Sequence, residues 1–200
     1  MNTTMRVISA ILLCFAAFPF CAQADPKPII ENERVTVWDV TAGKDEAKPA
    51  GEALVIYLAG GARHKARDVV FEPKGSAHQD DPGARTIVID LKDHAVPPLP
   101  NTTSYPNAFP RPGVKKVFEN GRIVVWDYMW LPDRATPMHF HDKDVVVVYF
   151  EDGALKSTTP DGQNVVNEYT FGTTRFNRRD RTHTELLVKG MQHAVMMELK

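Results

Sequence analysis

His139 and His141 stand two residues apart in the run Pro137-Met138-His139-Phe140-His141-Asp142-Lys143-Asp144, and His183 follows about forty residues later. On a strand, residues i and i+2 project from the same side, so both imidazoles would face one surface. The apolar run from Val145 to Phe150 places that surface in a buried sheet rather than a loop. Neutral imidazole nitrogen is a common ligand for transition metals. A third ring from a neighbouring strand would close a three-nitrogen site with open positions, as catalytic metal sites do. The expected chemistry is polarisation of a substrate oxygen, or activation of water or dioxygen.

The elements that would position these rings come in duplicate. Residues 30–39 read IENERVTVWD and residues 118–127 read FENGRIVVWD, with six of nine positions identical between Glu31–Asp39 and Glu119–Asp127. The match returns at Val55-Ile56-Tyr57-Leu58 against Val147-Val148-Tyr149-Phe150, and closes with Ile89-Asp90-Leu91-Lys92 against Met197-Glu198-Leu199-Lys200. Self-similarity of this kind marks a duplicated unit. Within each copy, short β-branched runs alternate with turn signals such as Gly60-Gly61, Asp81-Pro82-Gly83 and Pro160-Asp161-Gly162, a pattern of all-β structure. Between the copies, residues 97–113 carry prolines at 97, 98, 100, 106, 110 and 112, which suits an extended connector rather than a packed strand.

A double β-unit with H-x-H at the start of a β-run, a turn glycine after it and a later histidine resembles the cupin superfamily in its two-unit (bicupin) form. The first cupin motif is roughly G-x5-H-x-H-x3/4-E-x6-G and the second G-x5-P-x-G-x2-H-x3-N. His139, His141 and Gly153 match the first; Gly172 and His183 match the second, whose Pro and Gly are replaced within Arg179 to Thr182. The resemblance implies two cupin-type jelly-roll β-barrels in tandem: an N-terminal unit at 25–96 and a metal-binding C-terminal unit at 114–200. The motif's glutamate falls at Val145 or Val146, which cannot bind a metal, and Asp144 is the nearest carboxylate. Strict alternation from His141 points Asp144 outward, whereas a bulge would re-aim it. Two ligand sets follow: His139, His141 and His183 alone, or with Asp144. In the first unit the positions of His139, His141 and Asp144 are Ala47, Pro49 and Glu52, and only His78 has a counterpart, in His183. The N-terminal copy is therefore read as degenerate and structural.

The implied cofactor is a divalent transition metal: Fe, Mn or Zn. Arg175 is the leading candidate among Arg175, Arg178, Arg179 and Arg181 to hold an anionic substrate group, because guanidinium binds carboxylate in a bidentate fork. Tyr149 and His193 are the other candidates for a pocket wall. Tyr149 repeats as Tyr57, and His193 shares a strand face with Val195, Met197 and Leu199, so packing roles suit both. Enzyme and non-catalytic binding module are both open, because the fold does not fix a reaction.

The start of the chain reads as an export signal: Arg6, an apolar run from Val7 to Phe20, and Ala22-Gln23-Ala24 before Asp25. Cleavage after Ala24 would deliver the protein to a periplasm or beyond. Both cysteines, Cys14 and Cys21, lie in that leader, so the mature chain has neither disulfides nor thiolate ligands. Lys and Arg number 24 and Asp and Glu 25, and removal of the leader takes only Arg6. This balance argues against nucleic acid or an anionic membrane as partner. The partner expected is a small molecule, with the mature protein off the membrane and either monomeric or homodimeric.

Overall fold

The computed structural model describes residues 27–200 apart from 77, 79 and 80; the segment read as an export signal and both cysteines lie outside the described residues. All regular structure in them is β. The N-terminal unit has β1 (Ile30–Glu31), β2 (Val35–Thr41), β3 (Glu52–Ala59), β4 (Val69–Glu72) and β5 (Arg85–Leu91). The C-terminal unit has β6 (Lys115–Glu119), β7 (Ile123–Trp130), β8 (His139–His141), β9 (Val145–Tyr149) and β10 (Gly153–Thr158), followed by β11 (Asn164–Tyr169), β12 (Thr174–Asn177), β13 (Arg181–Gly190) and β14 (Gln192–Leu199). Among the described residues no helix is long and apolar enough to cross a membrane.

The duplication is visible in the topology. The first unit forms one sheet in the order β1-β2-β5-β3-β4, and the second contains a sheet in the order β6-β7-β14-β9-β12. The repeated segments place β1 with β6, β2 with β7, β3 with β9 and β5 with β14, and the strand orders add β4 with β12, so the two sheets are the same sheet twice. The second unit adds a four-stranded sheet, β11-β10-β13-β8, which closes its barrel. The degenerate copy has no strands equivalent to these among the described residues, and β8 and β13 are the strands that carry the three histidines.

The two like sheets pack face to face. Their shared core holds Val35, Val37, Leu54, Ile56, Leu58, Ile87, Ile89 and Leu91 from the first unit, against Ile123, Val125, Val146, Val148, Phe150, Val195, Met197 and Leu199 from the second. Each residue of the first group has its repeat counterpart in the second, so the seam is pseudo-symmetric. Burial of one such aliphatic side chain is worth about 1.5–3 kcal/mol, which makes this seam an integral core. Period-two alternation sends the intervening residues Val124, Trp126, Tyr128, Trp130, Val145, Val147, Ala194 and Met196 into the C-terminal barrel, where they meet Leu155, Tyr169 and Leu187 of the second sheet.

Gly153 opens β10 where the chain passes against the β13–β14 hairpin: a Cβ there would lie 2.3 Å from the carbonyl oxygen of Met191. Residues 97–113 form no strand but are more than a spacer. Leu99 N–H donates to Asp142 O (2.8 Å), Ala108 N–H to Phe140 O (2.7 Å), and Phe140 N–H to Pro106 O (2.8 Å). The connector thus covers the open edge of β8 and buries Ala108, Phe109 and Arg111.

Candidate metal centre

β13 pairs antiparallel with β8 so that His183 stands opposite His139 and Arg181 opposite His141. Alternation turns all three rings into the barrel, where His139, His141 and His183 are 1%, 6% and 7% exposed. Their Nε2 atoms converge: 3.2 Å between His139 and His141, and 3.3 Å between His141 and His183. Around a metal with bonds of about 2.1 Å, neighbouring nitrogens lie about 3.0 Å apart at right angles and about 3.4 Å apart at tetrahedral angles. The trio fits a metal ion by this measure, and among the described residues it is the only such cluster.

The electrostatics suit that use. His139 Nδ1 lies 2.7 Å from Pro137 O; a carbonyl only accepts, so Nδ1 carries the proton and Nε2 the free lone pair. Burial holds the His139 imidazolium at a pKa of about 4, helped by the Arg111 charge. Burial and the Arg181 charge hold His183 at about 3, and burial puts His141 well below its usual range. All three rings are neutral near pH 7, the form that ligates a metal.

A small chamber of about 20 Å³ lies beside the rings, its wall including Arg111, Tyr149, Arg181 and Glu185 with Trp130, Val145 and Met196. That is room for one or two water-sized groups. Val145 stands on the inward face where the cupin motif places its glutamate; Val146 faces the seam. Glu185 Oε2 accepts from Trp130 Nε1 (3.1 Å), and Oε1 lies 3.9 Å from His183 Nε2. Arg111 reaches in from the connector, its Nη1 3.1 Å from His139 Nε2.

The structure sorts the other candidates. Asp144 is outside the cluster: Oδ2 accepts from Arg34 Nη1 of the first unit (2.8 Å) and Oδ1 from Arg179 N–H (2.8 Å). No bulge re-aims it, and it is turned toward the seam as alternation demands. Tyr149 lines the chamber and stacks on Tyr169 (centroids 3.9 Å apart). Arg175 is exposed, its guanidinium 5.6 Å from the Tyr169 ring centre, and it does not reach the chamber wall. His193 lies on the seam face of β14, with Nε2 2.8 Å from Asp127 Oδ1 and its ring beside Phe150. It repeats the position of Arg85, which pairs with Asp39, the counterpart of Asp127.

Two chamber residues, Glu185 and Arg111, escaped the sequence reading, and Arg181 was named there only behind Arg175. Arg181 and Glu185 share the strand face of His183 at i−2 and i+2, so period two could have singled them out. Arg111 had no such signal, because nothing in a proline-rich run tells which side chain turns inward.

No family model matches the chain, and no curated protein does. Solved structures do. A cupin 2 conserved barrel domain protein from Leptotrichia buccalis is 13% identical, covering 87% of this chain and 88% of its own with a TM-score of 0.51. Oxalate decarboxylase from Bacillus subtilis, described for its Mn(II) centres, is 11% identical, covering 83% of this chain and 69% of its own with a TM-score of 0.55. A cupin domain from Bordetella pertussis Tohama I is 27% identical over 46% of this chain and 99% of its own, with a TM-score of 0.40. The chain is a tandem cupin by fold, its N-terminal copy degenerate and its C-terminal copy bearing a three-histidine cluster that can hold a metal ion.

Proposed function

We propose that this chain is an exported, metal-dependent enzyme acting on a small anionic molecule. His139, His141 and His183 would hold a divalent Fe, Mn or Zn, which when bound supplies Lewis acidity and open coordination positions. The observation that carries the reading is the convergence of three neutral, buried Nε2 atoms at ligand spacing. The protein's own groups divide the remaining work. Arg111 and Arg181 are cations on the chamber wall, and Glu185 is the carboxylate there, giving an excess positive charge that selects an anion. Glu185 Oε1 is placed to accept a proton from a ligand, a role Asp144 cannot fill because both its oxygens are engaged.

The test has two arms. Metal analysis of untagged protein loaded with Fe, Mn or Zn is expected to find about one equivalent after dialysis, three imidazoles binding such ions tightly. A screen of small carboxylic acids then compares native protein with His139→Ala, and turnover present in the first and lost in the second supports the enzyme. The narrowness of the chamber favours a second reading, a periplasmic module that holds the metal and a small ligand without turnover. Metal and ligand binding with no product in any arm would select it.

A further inference from the structure

We propose that Arg111, delivered by the connector, is the seat for a carboxylate group bound beside the metal, and that without this anion its guanidinium competes with the metal for His139. The proposal rests on the reading that the three histidines hold a metal, and it names the group that recognises the ligand.

A hydrogen-bond inventory leads there. Guanidinium has five N–H donors and no acceptor. The Arg111 side chain is only 4% exposed, so each donor must find a partner inside. Nη1 finds His139 Nε2 at 3.1 Å. Since His139 Nδ1 is the protonated nitrogen, that contact uses the Nε2 lone pair, the same pair a metal needs. Metal and guanidinium cannot share it. Nη2 lies 3.8 Å from Glu185 Oε2, a distance for charge attraction but too long for a hydrogen bond. Nε is buried with no partner.

The plane of the group is nonetheless fixed, with its carbon 5.0 Å from the Phe109 ring centre and 4.5 Å from that of Tyr128. A purely structural arginine would explain this stacking, but not buried donors left without acceptors. Once the histidines are given to a metal, Nη1 is released beside Nη2, whose 3.8 Å contact with Glu185 is no hydrogen bond, and the two present parallel N–H groups at the end of the guanidinium. That fork matches the two oxygens of a carboxylate. The charges agree: Arg111 and Arg181 against Glu185 leave one positive charge before any metal is counted. The size of the chamber restricts the class to small carboxylates.

The experiment uses full-length protein loaded with Co(II), whose visible absorption reports its coordination sphere, and formate as probe. Metal affinity is measured by competition with a chelator, formate affinity by titration of the absorption band. Arg111→Gln is expected to raise metal affinity severalfold, because the competing cation is gone. It should weaken formate binding by about tenfold or more, because the charge-assisted pair is lost. Arg111→Lys, which keeps charge without the fork, should leave metal affinity near native while still weakening formate. Shifts of opposite sign are what a defect in packing cannot produce. A joint fall in both affinities, or unchanged formate binding, would overturn the proposal; should Arg111→Gln not fold, Arg111→Lys decides in its place. Failure of native protein to take up Co(II) would sink this inference together with the functional reading, whereas native uptake with equal formate binding in the variants sinks this inference alone.

Discussion

Arg34 Nη1 lies 2.8 Å from Asp144 Oδ2 across the seam between the two units, and the contact recurs in reverse between Arg122 Nη1 and Glu52 Oε2 at 3.2 Å. Arg122 is the repeat counterpart of Arg34, and Glu52 that of Asp144. Each arginine also donates through Nη2 to a main-chain oxygen, Arg34 to Lys200 and Arg122 to Lys92, again a repeat pair. The two arginine–carboxylate bridges are thus one interaction made twice. They differ in exposure: Arg34 and Asp144 side chains are 4% and 6% exposed, Arg122 and Glu52 32% and 28%.

That difference sets the first prediction. Arg34→Met should cost about 3–5 kcal/mol, because it strands a buried carboxylate. Arg122→Met should cost about 1 kcal/mol or less, its partner being able to turn to water. Urea unfolding of both variants measures the gap, and equal losses would contradict this account of the seam.

The second prediction concerns the ligands. Replacing any one of His139, His141 and His183 by alanine should reduce bound Fe, Mn or Zn from about one equivalent to less than about one-tenth after dialysis, two imidazoles holding such ions far less tightly than three. Asp144→Asn should retain the metal, since that side chain points into the seam. Elemental analysis reads both.

The third is a pH dependence. Burial lowers the folded-state pKa of His139 to about 4 and of His183 to about 3, from 6.5. Between those values and 6.5 the unfolded chain holds protons that the folded chain does not, so protonation favours unfolding. Chelator-treated protein should therefore lose stability as pH falls from about 6.5 toward 4. The slope should be shallower in the His139→Ala, His183→Ala double variant. Urea midpoints across that range test the sign.

The fourth addresses the shared core. Met197 is fully buried in the seam, and Met197→Ala should cost about 2–5 kcal/mol. As both units own that core, unfolding should remain a single transition, with far-UV dichroism and tryptophan fluorescence changing together. Two separated transitions would show the units to be independent.

Much of this was legible in the chain. The alternation around His139 and His141, the second-motif histidine and the repeat were enough for the fold and the trio, because strand periodicity is a local property that residues carry in their order. Asp144 shows how the same information can be misread. An acidic residue stands at its position in both copies although only one has the histidine trio, and that recurrence, which already spoke for a packing role of Tyr149, pointed to a shared structural duty as well. Arg111 was beyond reach for a different reason. Its inward turn depends on long-range pairing of the connector along β8, and pairing between distant segments leaves no trace in local composition.

The stretch joining the units is also the roof over the histidines, and this decides where the polypeptide can be divided. If the two halves were made as separate chains, the apolar seam would reunite them, but a break after residue 113 would leave the arginine on the wrong fragment. A break near Asp93 to Ala95 would keep the roof with the barrel it covers. A cut that respects the site would thus fall upstream of Pro97, and the half that carries the three histidines would begin well before its first strand.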